Sequence, residues 1–146
     1  DAILDRLEEA TVIVKSAAVA DYRVANVAPQ KIKKTAARLS LDLDPTPDIL
    51  AEVGAKKGDR LLIGFAAETT NMVAEARRKL ETKRADMIVG NVVNVAGSGF
   101  ESDQNEVTLV MATGAAVALP RAPKREIAHQ IFDHALRLRL ALHASQ

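Results

Sequence analysis

Apolar runs alternate with amphipathic segments along this chain. The runs at residues 11–14, 61–65 and 87–90 are continuous, as is typical of strands buried on both faces. Residues 47–56 and 71–83, which separate these runs, have the apolar spacing of helices. Because helices between strands give parallel crossovers, we expect the three runs to be parallel neighbours in one sheet.

Further patterns extend this prediction to the whole chain. Helical spacing also occurs at residues 2–10, and residues 39–43 alternate like a half-exposed strand. Residues 107–111 and 116–119 flank a Thr113-Gly114 turn, which predicts a hairpin, and residues 124–143 form a closing helix. The predicted fold is α/β: a Rossmann-like three-layer domain, with a mostly parallel sheet, a C-terminal β-hairpin and a closing helix.

The sequence predicts how one helix is capped and which side of two other helices is buried. Thr46 is the predicted N-cap of the first long helix, with Pro47 at its first position and Asp48 in its first turn. The buried stripe predicted for the helix at 71–83 consists of Val73, Ala76 and Leu80. The stripe predicted for the closing helix consists of Ile127, Ile131, Ala135 and Leu138, widened by Phe132 and Leu136.

Composition narrows the classes of function. A length of 146 residues suits one domain, and no apolar run approaches the ~20 residues that span a bilayer. A net charge of +1 and 3% aromatic residues argue against nucleic-acid binding, so we expect neither nucleic acid nor membrane as a partner. The lack of cysteine excludes thiol chemistry and favours the cytoplasm. Without a G-x-G-x-x-G or P-loop motif, dinucleotide oxidoreductases and P-loop enzymes have no support.

Two groups of residues suggest a ligand site. Small residues at 17–20 and 66–67 follow the first two predicted strands, where a ligand could approach the backbone at the carboxyl edge of the sheet. Lys31, Lys33 and Lys34 form a basic cluster that suits a polyanion. Each feature alone also fits an ordinary structural role: close packing for the alanines and a solvated surface for the lysines.

Four motifs in order and spacing resemble those of one family. They are Ala17-Ala18-Val19-Ala20-Asp21-Tyr22-Arg23, Lys31-Ile32-Lys33-Lys34, Pro47-Asp48-Ile49-Leu50 and Gly64-Phe65-Ala66-Ala67-Glu68-Thr69. The chain resembles bacterial phosphopantothenoylcysteine synthetase, the ligase part of the bifunctional decarboxylase/synthetase flavoprotein of coenzyme A biosynthesis. A Phe-x-Ser-Asp-x-Asn pattern at 100–105 agrees with this family, whereas Val24 stands where the family usually has proline.

The resemblance implies a CTP-dependent ligase that joins phosphopantothenate to cysteine through an acyl-cytidylate. It implies Mg²⁺ as a cofactor, no FMN in this part of the chain, a homodimer, and an upstream flavin-dependent decarboxylase domain. Residues 1–146 would then be a single CTP-binding ligase domain that lacks the N-terminal segment of the complete synthetase domain. Lys31 is the implied catalytic residue. The implied nucleotide-binding residues are Lys15, Ser16, Ala17, Ala18, Asp21, Lys31, Pro47, Asp48, Ile49, Leu50, Phe65, Lys79 and Lys83.

Some of these residues have a second interpretation. Phe65 is either a core ring or a neighbour of the nucleotide, and Glu68 either holds magnesium or faces water. Lys79 and Lys83 either bind phosphates or complement a helix C-terminus. The acidic residues at 42, 44 and 48 could suggest a metal cluster, but Asp48 suits the start of a helix and Asp42 faces outward on its predicted strand. The spacing of the histidines at 129, 134 and 143 places no pair on one face of the helix, so metal binding there is not expected. The chain also fits a non-catalytic nucleotide-binding module that needs a partner segment, or a Rossmann-like interaction domain.

Overall fold

The computed structural model describes residues 2–31, 40–68, 71–92 and 103–144. Within these ranges, the strands are β1 (Val12–Lys15), β2 (Tyr22–Val24), β3 (Leu43–Pro45), β4 (Leu61–Glu68), β5 (Met87–Val92), β6 (Gln104–Met111) and β7 (Ala116–Pro123). The α-helices are α1 (Ile49–Lys56), α2 (Met72–Lys83) and α3 (Lys124–Ala144), and a 3₁₀ helix, Leu4–Glu9, precedes β1.

The central sheet has the strand order β1-β4-β5-β6-β7. β1 pairs with β4 in parallel, and β4 pairs with β5 in parallel, with Val12 opposite Leu61 and Ile63 opposite Met87. The prediction of three parallel neighbours is therefore confirmed. β6 and β7 continue the sheet as the predicted antiparallel hairpin, and both strands extend further at the open end of the hairpin than the sequence pattern indicated.

Helices cover both faces of this sheet, which gives the predicted three layers. The core on the α3 side includes Ile127, Ile131, Ala135, Leu138, Leu61, Ile63, Met87 and Val89. The core on the side of α1 and α2 includes Leu50, Val53, Ala76, Leu80, Ile13, Leu62, Ala66 and Ile88. Because successive side chains of a strand point to opposite faces, β4 contributes alternate residues to the two cores.

Two of the short elements differ from prediction. The helix predicted at residues 2–10 is a 3₁₀ helix of 6 residues, with Leu7 as its buried residue. The strand predicted at 39–43 is wrong in position, because pairing with β2 runs from Leu43 to Pro45, and Leu39 lies outside the described residues. Backbone bonds at both ends of this pairing, from Ala25 N to Asp42 O and from Thr46 N to Asp21 O, fix the register.

The predicted start of α1 is also wrong by two residues. Thr46 does not cap the helix, because its hydroxyl donates to Ala20 O and thus ties it to the segment after β1. Asp48 is the N-cap, and its Oδ1 accepts a hydrogen bond from Ala51 N at 3.0 Å. Asp48 therefore keeps the helix-terminal role that the sequence suggested, but as the cap itself.

The buried stripe of α2 is shifted by one residue from the predicted stripe, and the buried stripe of α3 is narrower than predicted. In α2, Met72 takes the place predicted for Val73, which is 36% exposed. In α3, the four residues of the predicted stripe are buried, but Phe132 and Leu136 are 50% and 57% exposed and do not widen it. The reason is geometric: five residues along a helix turn the side chain by about 140°, so Leu136 points away from the surface that Ile131 contacts.

Asp86 is the buried charged residue among those the structure describes, and we expect it to be important for stability. Its carboxylate pairs with Lys57 Nζ at 2.9 Å and accepts a hydrogen bond from Leu62 N at 2.7 Å. Replacing it with alanine would leave Leu62 N without a partner and Lys57 Nζ with Arg60 O as its acceptor but no counter-charge, so Asp86→Ala should lower the free energy of unfolding by roughly 2–4 kcal/mol. Urea denaturation can measure this, and a loss similar to that of the exposed pair variant Glu52→Ala would contradict the assignment.

Candidate functional site

A small recess lies beside the carboxyl end of β1. Its volume is about 160 Å³ and its lining residues are Lys15, Val19, Asp21, Thr46, Pro47, Asp48 and Ile49. These residues come from three chain segments: the end of β1, the segment that follows it, and the N-terminus of α1. Five of them belong to the predicted nucleotide-binding set, namely Lys15, Asp21, Pro47, Asp48 and Ile49. The fold thus gathers a part of that set at the edge of a parallel sheet where ligands usually bind.

The chain leaving β1 forms one wall of the recess. Ser16, Ala17 and Ala18 are exposed, so their backbone groups are accessible to a ligand. Lys15 Nζ turns back to donate to Ala17 O at 3.2 Å. The bonds of Thr46 to Ala20 and Asp21 hold this segment against the approach to α1.

A second lysine reaches the recess from α2. Lys83 Nζ pairs with Asp48 Oδ2 at 2.5 Å, while the other carboxylate oxygen of Asp48 caps α1. This pair joins the C-terminus of α2 to the N-terminus of α1. The helices approach closely because residue 54 is glycine: a Cβ there would lie 1.8 Å from Lys83 O.

The electrostatics of this corner favour the ionised form of Asp48. The hydrogen bond from Lys83 has the largest effect and lowers the pKa of Asp48. Burial raises this pKa by less than that bond lowers it, and the bond from Ala51 N and the charges of Lys83 and Lys15 lower it further. At neutral pH the corner therefore carries one carboxylate between two ammonium groups.

This lowered pKa predicts how stability depends on pH. A carboxyl group whose pKa is lower in the folded than in the unfolded state stabilises the protein above its unfolded pKa of about 3.9. That contribution is lost as the pH falls through the folded pKa. We therefore expect Asp48→Asn, which keeps a capping oxygen, to cost at most about 1 kcal/mol at neutral pH, since the pair is half-exposed.

Thermal unfolding of the native chain and of Asp48→Asn at several pH values checks this prediction. The difference in stability should be constant above about pH 5 and should shrink below about pH 4. A difference that stays constant down to pH 2 would show that the charge of Asp48 is not involved.

Other predicted residues lie apart from the recess. Leu50 is buried and packs against Gly64, so it belongs to the core. Phe65 is 38% exposed and follows Leu61 and Ile63 on the α3 side of β4, whereas the recess lies towards α1. Phe65 is therefore not a fully packed core ring.

Lys79 and Lys31, the two remaining lysines of the predicted nucleotide-binding set, do not line the recess. Lys79 lies one turn before Lys83 on α2 and is half-buried. Lys31 is exposed at the end of a described range. Lys33, Lys34 and Thr69 lie outside the described residues, as does the 100–102 part of the Phe-x-Ser-Asp-x-Asn pattern, and the side chain of Glu68 is not described.

Sequence reasoning missed the roles that two residues have in shaping this site. Thr46 holds the segment after β1, and its two bonds join positions that are far apart in the sequence, which no local pattern reveals. Gly54 sets the distance between α1 and α2. A glycine inside a predicted helix was the available sign, because this residue is unfavourable there unless packing requires it.

Two larger recesses lie elsewhere along α2, and neither contains a predicted site residue. One, of about 480 Å³, is lined by residues 71–74 and Arg77, and the other, of about 470 Å³, lies between α2 and the β6–β7 turn. Both are wide and shallow. Size alone therefore does not select the site, whereas the β1 recess combines a sheet edge, a helix N-terminus and convergent charges.

The described residues were also compared with the requirements of a metal site and of a membrane-spanning helix. Within the four described ranges, no group of three or more histidine, aspartate or glutamate side chains is placed to hold a metal ion. Among the helices described, none is long and apolar enough to cross a bilayer.

The fold and the recess define a Rossmann-like α/β domain with a polar site at the carboxyl edge of its parallel strands. Residues 1–138 match the family described as the DNA/pantothenate metabolism flavoprotein C-terminal domain, so the chain belongs to this family. It is 38% identical over 133 residues to the coenzyme A biosynthesis bifunctional protein CoaBC of Bacillus subtilis (strain 168), covering 91% of this chain and 33% of that protein.

Two further relatives agree with this assignment. CoaBC of Escherichia coli (strain K12) is 40% identical over 131 residues, which cover 87% of this chain and 32% of that protein. The crystal structure of the C-terminal domain of a CoaBC protein superposes with a TM-score of 0.74 at 34% identity, covering 98% of this chain and 60% of that one. The family resemblance read from the motifs is thus confirmed, and the chain spans about one third of the length of the CoaBC relatives.

Proposed function

We propose that this chain is the ligase domain of a coenzyme A biosynthesis protein, and that it uses CTP to join phosphopantothenate to cysteine. The observation that supports this most strongly is the β1 recess. Among the residues implied by the family resemblance, five line it and Lys83 reaches it through Asp48. The proposed setting is the cytoplasm, with a flavin-dependent decarboxylase domain elsewhere in the protein and no FMN bound here.

The proposed reaction has two steps, each of which moves negative charge on phosphate oxygens. In the first, a carboxylate oxygen of phosphopantothenate attacks the α-phosphorus of CTP, forms an acyl-cytidylate and releases pyrophosphate. In the second, the cysteine amine attacks the acyl carbon, loses a proton and releases CMP as the amide forms. Catalysis then depends on groups that stabilise the charge that develops on oxygen.

The residues of this chain have distinct roles in the proposal. The accessible backbone of residues 16–18 and Asp21 would hold the nucleoside, and the N-terminus of α1 would offer backbone donors. Lys79 and Lys83 would bind the outer phosphates. Lys31, on its long flexible stem, would approach the acyl-phosphate and stabilise its charge in the second step.

The residues that line this recess fit a magnesium ion only when the phosphates of the nucleotide supply further ligands. Both oxygens of Asp48 are used by Lys83 and Ala51, which leaves Asp21 as the other carboxylate that lines the recess. Mg²⁺ usually binds through one or two carboxylates together with substrate phosphates. Such an ion would neutralise phosphate charge and would be held mainly by the phosphates, since Asp21 is the residue that we propose for the nucleoside.

Comparing two nucleotides tests the proposal directly. Titration calorimetry of the intact protein should show tighter binding of CTP than of ATP, and an assay with phosphopantothenate, cysteine and CTP should yield the amide with pyrophosphate and CMP. Equal or tighter binding of ATP would reject the CTP assignment. Amide formation that needs no nucleotide would reject the mechanism.

Single alanine variants of Lys79 and Lys83 test their proposed contact with phosphates. Each change should weaken binding of CTP more than binding of CMP, because only the triphosphate has the outer charges. Titration calorimetry of both ligands measures the difference, with Lys56→Ala, an exposed lysine at the end of α1, as a control. Equal losses for CTP and CMP would refute this placement, and a small loss of stability alone would indicate a helix-terminal role.

A second candidate function is a nucleotide-binding module that needs a partner segment for activity. The size of the recess favours this function, because its volume of about 160 Å³ is well below the roughly 300 Å³ of the smallest usual small-molecule sites. A partner segment would then supply the rest of the nucleotide site. CTP binding by the isolated chain without amide formation, together with activity in the intact protein, would identify the chain as such a module.

A further inference from the structure

The two lysines at the β1 recess are both bound by groups of the protein itself. Lys83 Nζ pairs with Asp48 Oδ2 at 2.5 Å, and Lys15 Nζ donates to Ala17 O at 3.2 Å. Counting Asp21, the lining residues and Lys83 together carry two ammonium groups and two carboxylates. The ionisable side chains at the recess therefore sum to no net charge, which is unexpected at a site for a polyanion.

The cap of α1 does not explain why residue 48 is an acid. Capping uses Oδ1 alone, which accepts from Ala51 N at 3.0 Å, and asparagine or serine would supply an equivalent oxygen. The acid adds a second oxygen, Oδ2, whose partner is Lys83. The dipole of α1 and this pair favour an acid only modestly, because the side chains of Asp48 and Lys83 are 49% and 26% exposed.

We propose that the Asp48 carboxylate is a stand-in for a phosphate group. It binds Lys83 until a phosphate of the ligand displaces it, after which the ammonium group binds that phosphate instead. The inference rests on the proposed function, because it takes the outer phosphates of a nucleotide as the ligand of Lys83. It gives Asp48 the role of setting how tightly and how selectively the recess binds phosphates.

The exchange requires only a side-chain movement of Lys83. Lysine carries its charge on a flexible stem, and Gly54 keeps α1 and α2 close, so the base of Lys83 stays beside the recess. Asp48 stays in place, because Ala51 N still binds its Oδ1. Its charge therefore acts at both stages, first as the partner of Lys83 and then as a negative neighbour of the phosphate.

Competition with Asp48 selects ligands of high charge. An anion with a single charge gains no more from Lys83 than the carboxylate does, so it does not displace the carboxylate. An outer phosphate or pyrophosphate has more charge and more acceptor oxygens, and its bonds to the ammonium group are stronger. We therefore expect Asp48 to weaken the binding of CTP and pyrophosphate moderately and to assist the release of pyrophosphate.

Titration calorimetry of the intact protein with CTP, CMP and inorganic pyrophosphate tests this inference. Asp48→Asn keeps a capping oxygen and removes the charge. It should bind CTP and pyrophosphate roughly three- to tenfold more tightly, and CMP less than about twofold more tightly. Unchanged or weaker binding of CTP and pyrophosphate would overturn the proposal, because Asp48 would then not compete with phosphate or would assist its binding.

Glu8→Gln is the matched control for the loss of one negative charge. Glu8 also joins distant segments, since it pairs with Arg60 Nη2 at 2.6 Å. This pair lies before β1 and β4, at the amino edge of the parallel strands and thus opposite the recess. The affinities of Glu8→Gln for all three ligands should be unchanged.

A double-mutant cycle shows whether the effect passes through Lys83. When Lys83 is already alanine, adding Asp48→Asn should raise the affinity for CTP less than about twofold, because no lysine is left to release. An equal gain with and without Lys83 would overturn the proposal, since it would reflect net charge alone.

Failure of the proposed function gives a different pattern of results. Pyrophosphate contains no nucleoside, so its tighter binding by Asp48→Asn supports the inference even if CTP binds no better than ATP. CTP-dependent amide formation without a gain in phosphate affinity for Asp48→Asn overturns the inference and leaves the ligase function intact. Absence of pyrophosphate binding by the unchanged protein and by Asp48→Asn overturns the inference as well.

Discussion

Replacing Lys31 with glutamine in the intact protein should slow amide formation by roughly 30- to 1,000-fold, which is 2–4 kcal/mol of transition-state stabilisation. Glutamine keeps much of the length of lysine but removes the charge, and Lys31 is exposed, so the fold should be unaffected. We expect the second step to suffer most. Acyl-cytidylate should then accumulate, or turnover should stop after the release of pyrophosphate.

Single-turnover measurements of pyrophosphate and amide separate the two steps. Lys56→Gln is the matched control, since Lys56 is an exposed lysine at the far end of α1 and pairs with Glu52. Near-normal amide formation by Lys31→Gln would mean that the lysine cluster is only a solvated surface. Equal losses in both variants would indicate an effect of net charge and not of position.

Replacing Gly54 with alanine should destabilise the protein by about 3 kcal/mol or more, corresponding to a drop of roughly 10 °C in melting temperature. In an ordinary helix the same change stabilises by about 0.5–1 kcal/mol. Here the added Cβ would lie 1.8 Å from Lys83 O, and a backbone carbonyl cannot rotate away as a side chain can. The helices α1 and α2 would have to separate.

Calorimetric unfolding measures this effect, and Gly58→Ala is the matched control. Gly58 has a φ of 56°, and its nearest neighbour for a Cβ is Arg60 Nη1 at 3.5 Å, so alanine there causes backbone strain of about 1–2 kcal/mol without a clash. Because Lys83 pairs with Asp48, Gly54→Ala should also weaken nucleotide binding, whereas Gly58→Ala should not. An equally stable or more stable Gly54→Ala protein would contradict the close approach of the helices.

The sequence by itself determined the architecture of this protein. The continuous apolar runs at 11–14, 61–65 and 87–90 predicted three strands. Burial on both faces holds for most of β4 and β5, whereas β1 lies at the edge of the sheet and its Val14 is 39% exposed. The segments between them had to be helices with one apolar surface. Parallel pairing and three layers follow from that order, the Thr113-Gly114 turn predicted the hairpin, and the four spaced motifs indicated the family.

The tertiary structure alone decided how the site residues are arranged. The cap of α1 moved from Thr46 to Asp48 because a carbonyl distant in the sequence binds the Thr46 hydroxyl. The pairing of Lys83 with Asp48 depends on the closeness that Gly54 permits.

Tertiary packing also decided which side of α3 is buried. The sequence pattern assigned Phe132 and Leu136 to the core, but both are exposed because the sheet packs against another side of the helix. Local patterns report the period of an element and the presence of an apolar surface. They do not report which other element lies against that surface, because packing joins residues that are far apart in the chain.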